Sequence, residues 1–578
     1  MNKNSLLILL VIACCGLGGF RKAPPAAKDK RPNIIIILSD DMGYSDIGCY
    51  GGEINTPNLD ALAKNGLRYT RFYNTSRCCP SRASLLTGLY PHQTGIGWMT
   101  AEDHKLPGYS GELNRQCVTL AEVVKEAGYA TYMTGKWHLA LDPKKGAGQQ
   151  YDWPLQRGFD KYYGTLLGAA NYYDPGMLCR GNTLITPYTD ALYPSKDYYF
   201  TRAVSDNSVR FIREHDDSRP FFLYVAYTAA HWPMQAPAAD IKKYKGKYDA
   251  GWEEVRRRRF EKMKRLGLVK KDEVLSPSDV PAWASEKDKA AMLRRMETYA
   301  AMVDIMDEGI GNIVQELKRK GQLENTVIFY LQDNGACHEI IGSGETRPAA
   351  PDTSKVEHLT PQTILYTNKP LITRDGRFVM QGRGVMAGPA DTYISYMQEW
   401  ANVSNTPFRL YKHWIHEGGI STPMIVHWPA GIKQKGVFRN QVAHEIDIMP
   451  TIVQLSGAQY PTIYHEQAIT PEEGLSLVPT FGNAALPQRL LFWEHEMNRG
   501  VRLGQWKLVA QATMLDGGYG TWQHYKTDPW ELYDIDKDRE ELHDLSSSHP
   551  DIVAQLSKRW DEWAQRSHVF PQPWQPKN

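Results

Sequence analysis

The chain has 578 residues, 67 of them basic and 65 acidic, for a formal net charge of +2. That length calls for a large domain with a smaller one appended, and the charge balance excludes a general nucleic-acid or polyanion binder. The eight cysteines are too sparse for a disulfide framework.

Residues 1–20 carry Lys3, an apolar run from Leu6 to Ala13 and the pair Cys14-Cys15. This is the form of an export signal, too short to span a membrane. Val11-Ile12-Ala13-Cys14 resembles a bacterial lipobox, with Cys14 as the residue to be lipidated. The expected location is therefore periplasmic, or at the bacterial cell surface through a lipid anchor, the only membrane association expected.

After the leader, β-branched apolar runs alternate with helix-like segments, the pattern of an α/β domain on a mostly parallel sheet sandwiched by helices. Asn33 to Leu38, Tyr129 to Thr134, Phe221 to Tyr227, Thr326 to Leu331 and Pro423 to Trp428 read as its strands. Thr56, Pro57 and the closing Asn65-Gly66 mark one short helix, and Thr119 to Glu122 reads as a capping box opening another that stops at Gly128. Gly251 to Lys289 is charged, with Arg256 to Arg259 in a row and glutamates interleaved, so it reads as a solvated helical insertion. From about Arg489 the pattern changes. Leu490 to Glu496, Trp506 to Gln511 and Trp530 to Ile535 alternate like antiparallel strands, and Asp551 to Trp563 is helix-like. We expect a catalytic domain over 31–485 and a small C-terminal α+β subdomain over 486–578.

Chemistry-bearing residues follow the strands. Asp40-Asp41 comes after the first and Asp333-Asn334 after Thr326 to Leu331. Ligand sites of open α/β sheets sit at the carboxyl ends of strands. Four oxygen donors from two such ends suit one hard cation, calcium before magnesium. Gly135-Lys136-Trp137-His138 and Ala230-His231-Trp232-Pro233 follow two further strands, and Lys412 lies five residues before Glu417-Gly418-Gly419.

The stretch Cys78-Cys79-Pro80-Ser81-Arg82, continuing to Leu86-Thr87-Gly88, resembles the sulfatase signature C-x-P-S-R-x-x-x-L-T-G. The resemblance runs from about Pro32 to the end. It includes Trp493-Glu494-His495-Glu496 and Asn498-Arg499, which look like the C-terminal region of the arylsulfatase group; Met497 stands where that pattern has glycine.

It implies an alkaline-phosphatase-like fold and a formylglycine made from Cys78 by a maturation enzyme. The hydrated aldehyde has one hydroxyl to attack sulfur and a second to expel the sulfate. The resemblance places one calcium on Asp40, Asp41, Asp333, Asn334 and the modified Cys78. Arg82 would orient the nucleophile, and Lys136 and Lys412 would grip sulfate. His231, with Lys412, would protonate the leaving group, and His138 would take the proton of the second hydroxyl. The expected reaction is S–O cleavage of sulfate monoesters, aryl sulfates and sulfated galactose or amino sugars of glycans. The loop from Gly168 to Arg180, with Asn171 as its candidate substrate contact, has groups suited to a sugar or to structure alone. Two alternatives stand beside this: a phosphate or phosphonate ester hydrolase of the same superfamily, and a non-catalytic glycan-binding surface protein.

Overall fold

The computed structural model describes residues 30–141, 150–194, 196–216, 218–341, 356–514 and 525–574. The leader, with Cys14 and Cys15, lies outside them. None of the described helices is long and apolar enough to cross a membrane.

An 11-stranded mixed sheet organises the catalytic region. In chain order its strands are β1 (Asn33–Ser39), β2 (Leu67–Tyr73), β3 (Ala130–Gly135), β4 (Lys161–Thr165), β5 (Leu178–Arg180), β6 (Thr183–Leu184), β7 (Phe221–Ala226), β8 (Thr326–Gln332), β9 (Ser421–His427), β10 (Val437–Arg439) and β11 (Ala443–His444). They lie in the order β10-β2-β9-β8-β1-β7-β3-β4-β5-β6, with β11 also on β2. The five from β8 to β4 are parallel, while β9 runs antiparallel to both its neighbours. All five anticipated strands form, and β9 departs only in direction.

Strand β1 has no exposed face. Ile35 and Ile37 pack into one core with the helices Phe200–Glu214 and Lys289–Arg319, while Ile34 and Ile36 pack into a second with Cys78–Thr87 and Leu120–Glu126. An unbroken isoleucine run is what a strand buried on both sides requires. The capping box is present: Thr119 accepts from the Glu122 amide, and Glu122 from that of Thr119. Thr56 precedes the helix Pro57–Lys64, but its hydroxyl does not cap it and accepts from the Gly48 amide instead.

The charged insertion is helical over Trp252–Leu266, yet it is not a solvated face. Arg257 and Arg258 stay outside on Glu254, whereas Arg256 and Arg259 are buried. Arg259 pairs with Asp46 and Glu53, and Arg256 donates to Asn402 and Ser276. A run of four arginines necessarily wraps around a helix, so two of them turn inward.

In the C-terminal segment, strands Leu490–His495, Asn498–Leu503, Trp506–Ala510 and Glu531–Asp534 make an antiparallel sheet, and Pro550–Arg566 is helical. The second of these strands went unrecognised in the sequence because it follows the first across only Glu496 and Met497. Trp493, Val501, Leu508, Trp560 and Trp563 share their core with Tyr73, Tyr90, Ile415 and Ile420 of the catalytic region, so the two parts pack as one body.

Candidate active site

Strand register assembles the site. β1 and β8 pair up to Ser39 opposite Gln332, which leaves Asp40-Asp41 and Asp333-Asn334 side by side just past the sheet edge. β3 and β7 pair up to Gly135 opposite Ala226, so Lys136 emerges at the same edge, its amide donating to Ala226 O at 2.8 Å. Gly135 lies at φ 99, and a Cβ there would come 1.9 Å from Ala226 O; only glycine fits. Because β9 runs the other way, the residues that precede it reach this edge, which is why Lys412 lies upstream of its strand while the other groups lie downstream.

Cys78 is the first residue of a helix, Cys78–Thr87, that closes on Gly88 at φ 72. A helix N-terminus carries partial positive charge and favours an anion beside it. The Cys78 thiol is only 2 % exposed, and its pKa is held well below the ordinary thiol value. A hydrogen bond with Cys79 is the main cause, and Lys136, His138 and Lys412 add to it against the effect of burial.

Around it, charges interlock. Lys136 Nζ lies 2.5 Å from Asp40 Oδ2; Arg82 Nη2 donates to Asp333 Oδ2 at 2.9 Å and lies 3.3 Å from Asp40 Oδ2. Lys412 Nζ sits 2.9 Å from Asp41 Oδ1, and His231 Nε2 is 3.4 Å from Asp41 Oδ2. Asn334 donates to Asp41 Oδ1 at 2.8 Å. Although burial opposes it, Asp41 keeps a lowered pKa through Lys412 and His231; burial and the neighbouring Asp40 push Asp333 up instead. Burial also lowers His231, against the pull of Asp41 and Asp40. Lys412 stays well above its ordinary value in spite of burial, because Asp41, Cys337 and Glu339 surround it.

Two of these groups occupy strained backbone. Asp41 lies at φ 59 and His138 at φ 54, a region that costs a non-glycine residue about 1–3 kcal/mol and persists where the surroundings enforce it. The donor atoms of Cys78, Cys79 and His138 lie within 4.8 Å of one another. A Cβ on Gly168 would reach 2.5 Å from the His138 ring, so that glycine lets the following loop cover the histidine.

The oxygen donors fit a cation. Asp40 Oδ1 and Asn334 Oδ1 are buried without a hydrogen-bond partner, and they belong to the two adjacent strand ends whose remaining oxygens are already held together. Buried acceptors left open in this way are what a hard ion satisfies.

Asn171 stands apart from the charged cluster. Its Nδ2 donates to Ala390 O, and its Oδ1 accepts from the amides of Tyr173 and Asp174. The adjacent Tyr172 is fully buried, its hydroxyl 2.9 Å from His231 O and 2.8 Å from Thr228 O, so this part of the loop braces His231.

Sequence reasoning missed Glu339 and Arg77. Arg77 Nη1 lies 2.8 Å from Glu339 Oε1, and Trp232 Nε1 donates to Glu339 Oε2 at 2.7 Å, with Lys412 Nζ 3.7 Å from that oxygen. This buried carboxylate joins the residues next to Cys78 and His231 to the lysine. No local pattern announces it; the one hint is its place six residues after Asp333.

A family model described as Sulfatase matches residues 32–458. The chain belongs to the sulfatase family. A second model, described as N-sulphoglucosamine sulphohydrolase, C-terminal, matches residues 408–566. An uncharacterized sulfatase of Schizosaccharomyces pombe is 32% identical, covering 95% of this chain and 96% of its own length. An arylsulfatase of Klebsiella aerogenes is 33% identical over 82% of this chain and 96% of its own. Among solved structures, a protein described as in complex with its substrate D-glucosamine-2-N,6-O-disulfate superposes with a TM-score of 0.59 at 19% identity, over 95% of this chain and 100% of that one, a likeness of fold. The enzyme is a sulfuric ester hydrolase on an alkaline-phosphatase-like fold, and its family works with a metal ion and formylglycine.

Proposed function

We propose that this sulfatase removes sulfate from carbohydrates, galactose or amino-sugar residues of glycans, and accepts aryl sulfates as smaller substrates. The observation that carries the reading is the meeting of Lys136, His138 and Lys412 around Cys78 at one sheet edge, with His231 beside Lys412 on Asp41. Relatives named N-acetylgalactosamine-6-sulfatase and N-acetylglucosamine-6-O-sulfatase support the amino-sugar class. The leader supports export to the periplasm or a lipid anchor at the cell surface.

Oxidation of Cys78 to formylglycine by a maturation enzyme would supply a hydrate, one hydroxyl for attack on sulfur and the other for release of sulfate. Asp40, Asp41, Asp333 and Asn334 would hold a calcium ion, which would supply positive charge to the site. Arg82, fixed on Asp333 and Asp40, would orient the nucleophile formed at position 78. Lys136 and Lys412 offer ammonium groups to the sulfate oxygens, whose charge grows toward the bridging oxygen as the S–O bond breaks. His231 donates its Nδ1 hydrogen to Trp232 O at 2.7 Å, which leaves Nε2 as the atom that carries a proton to the leaving group. His138, whose ring nitrogen lies within 4.8 Å of the Cys78 sulfur, would take the proton of the hydroxyl that expels sulfate. The C–O bond stays intact. An oxygen donor set for one ion with two lysines suits a monoanionic sulfate ester better than a phosphate dianion.

Peptide mass spectrometry of active enzyme tests the nucleophile, with an aldehyde expected at position 78 and no turnover from Cys78→Ala. Active protein carrying only the unmodified thiol rejects the assignment. Chelation tests the ion: activity and thermal midpoint should both fall and return with calcium, and a chelated enzyme unchanged in both would remove the cation from the reading.

A further inference from the structure

The mechanism uses one sulfur at the head of the helix Cys78–Thr87, yet two stand there. Cys78 and Cys79 are both buried, and a hydrogen bond joins their thiols. Their sulfurs and a ring nitrogen of His138 all fall within 4.8 Å of one another. Ligand atoms of a single ion, at about 2.3 Å for sulfur and about 2.0 Å for nitrogen, stand no more than about 4.6 Å apart, so these three need little movement to share one.

The imidazole is free to join them. His138 is 3% exposed, and its Nδ1 is buried without a hydrogen-bond partner. Gly168 lies against the Cε1 and Nε2 side of the ring, where a Cβ would come within 2.5 Å, so Nδ1 is the open nitrogen. The surroundings are soft as well: Met99 Sδ lies 3.7 Å from Cys79 Sγ.

Donor chemistry and charge select the ion. Two thiols and an imidazole suit a thiophilic metal, unlike the oxygen donors of Asp40, Asp41, Asp333 and Asn334. Lys136 and Lys412 both act on the Cys78 sulfur. A monovalent ion on two thiolates leaves one negative charge for those ammonium groups to stabilise, whereas a divalent ion leaves none.

We propose that the unconverted chain, with Cys78 still a thiol, binds one copper(I) ion through Cys78, Cys79 and His138, and that oxidation of Cys78 to the aldehyde abolishes the site. The ion takes the place of the hydrogen between the two sulfurs, which leaves to solvent as a proton, and no electron is transferred. Copper then occupies the sulfur that maturation must oxidise, so it holds the chain in its inactive form and spares the converted enzyme. The second half rests on the assignment of Cys78 as the converted residue.

The test titrates copper(I), supplied without oxygen as its bicinchoninate complex, into the full chain made with and without the maturation enzyme. Peptide mass spectrometry reads conversion at position 78. Unconverted protein should take up one equivalent with an ultraviolet sulfur-to-copper charge-transfer band, and converted protein should bind about a hundredfold more weakly or worse. Within the unconverted chain, Cys79→Ala should lose affinity by a similar factor, while Cys49→Ser should match the wild type. Near-ultraviolet circular dichroism checks that both variants fold, and the comparison of converted with unconverted protein needs no variant. Equal affinity in converted and unconverted chains, or in Cys79→Ala and the wild type, overturns the copper site. Active enzyme that keeps a thiol at position 78 and binds copper through Cys79 supports the site and overturns the nucleophile assignment instead.

Discussion

His413 Nδ1 lies 2.5 Å from Glu496 Oε2, and this contact ties the residue beside Lys412 to the first turn of the C-terminal sheet. The donor atoms of His413, His495 and Glu496 fall within 4.8 Å of one another, a grouping that resembles a metal site. Hydrogen-bond chemistry favours a different reading. Asn498 Oδ1 accepts the Ala512 amide, so it is Asn498 Nδ2 that faces His413 Nε2 at 3.2 Å. That makes Nε2 the acceptor and leaves the ring hydrogen on Nδ1, beside the carboxylate. Although burial works against it, His413 and His495 hold the Glu496 carboxyl well below the usual range.

The cluster therefore acts as a clamp on Lys412. Trp98 Nε1 donates to Glu496 at 2.7 Å, and the His413 amide donates to Ser76 O at 2.9 Å, two residues before Cys78. Glu496→Gln should lower kcat/KM about tenfold, the effect of ~1.4 kcal/mol at the transition state. Elemental analysis should find one divalent ion per chain in both proteins. Full activity in Glu496→Gln would remove the clamp, and a second ion lost in the variant would restore the metal reading.

Met497 should be a weak point. The two residues between strands Leu490–His495 and Asn498–Leu503 lie at φ 50 for Glu496 and φ 66 for Met497, a hairpin turn that needs left-handed backbone twice. Glu496 is retained there by its contacts with His413 and Trp98. Glycine at 497 would relieve strain, offset in part by the entropy of a freer unfolded chain, for a net gain of about 0.5–1 kcal/mol. A raised thermal midpoint in Met497→Gly checks this; a lowered one would mean that the Met497 side chain outweighs the strain.

Acid should weaken the fold through His427. Its pKa is lowered to about 4, by burial first and then by Lys435 and Lys318. A group depressed in the folded state is neutral there while its unfolded form takes up a proton below about pH 6.5. Its contribution is therefore complete above that pH and is lost as pH falls toward 4, by up to ~3 kcal/mol. Denaturation at pH 7 and pH 4.5 should show a smaller loss in His427→Gln than in the wild type. Equal losses would place the acid sensitivity elsewhere.

The sequence revealed the groups that follow strands directly, because a parallel sheet delivers its strand ends to one edge. Asp40, Lys136 and Asp333 needed only that rule. Lys412 needed the family spacing, since the direction of β9 has no signature in its residues. Arg259, Glu339 and the His413–Glu496 contact were not legible. Each is a charged group whose burial depends on a partner hundreds of residues away or on another sheet, so local periodicity carries no trace of it.

His231 should matter most where the leaving group is poor. Its Nε2 is buried at the Asp41 side of the site, and its Nδ1 is committed to Trp232 O. A phenolate of low pKa leaves without help, whereas a sugar alkoxide requires a proton as the S–O bond breaks, a contribution of about 10² to 10⁴ in rate. His231→Ala should therefore reduce turnover of a sulfated sugar by about that factor and that of 4-nitrophenyl sulfate far less. Across a series of aryl sulfates the rate in the variant should depend more steeply on leaving-group pKa than in the wild type. Because burial lowers the histidine, the protonated form should be lost below the ordinary histidine range, and the alkaline limb of kcat/KM for sugar sulfates should disappear in the variant. Equal losses on both substrate classes would make His231 a sulfate contact, and Lys412 would then be the proton donor.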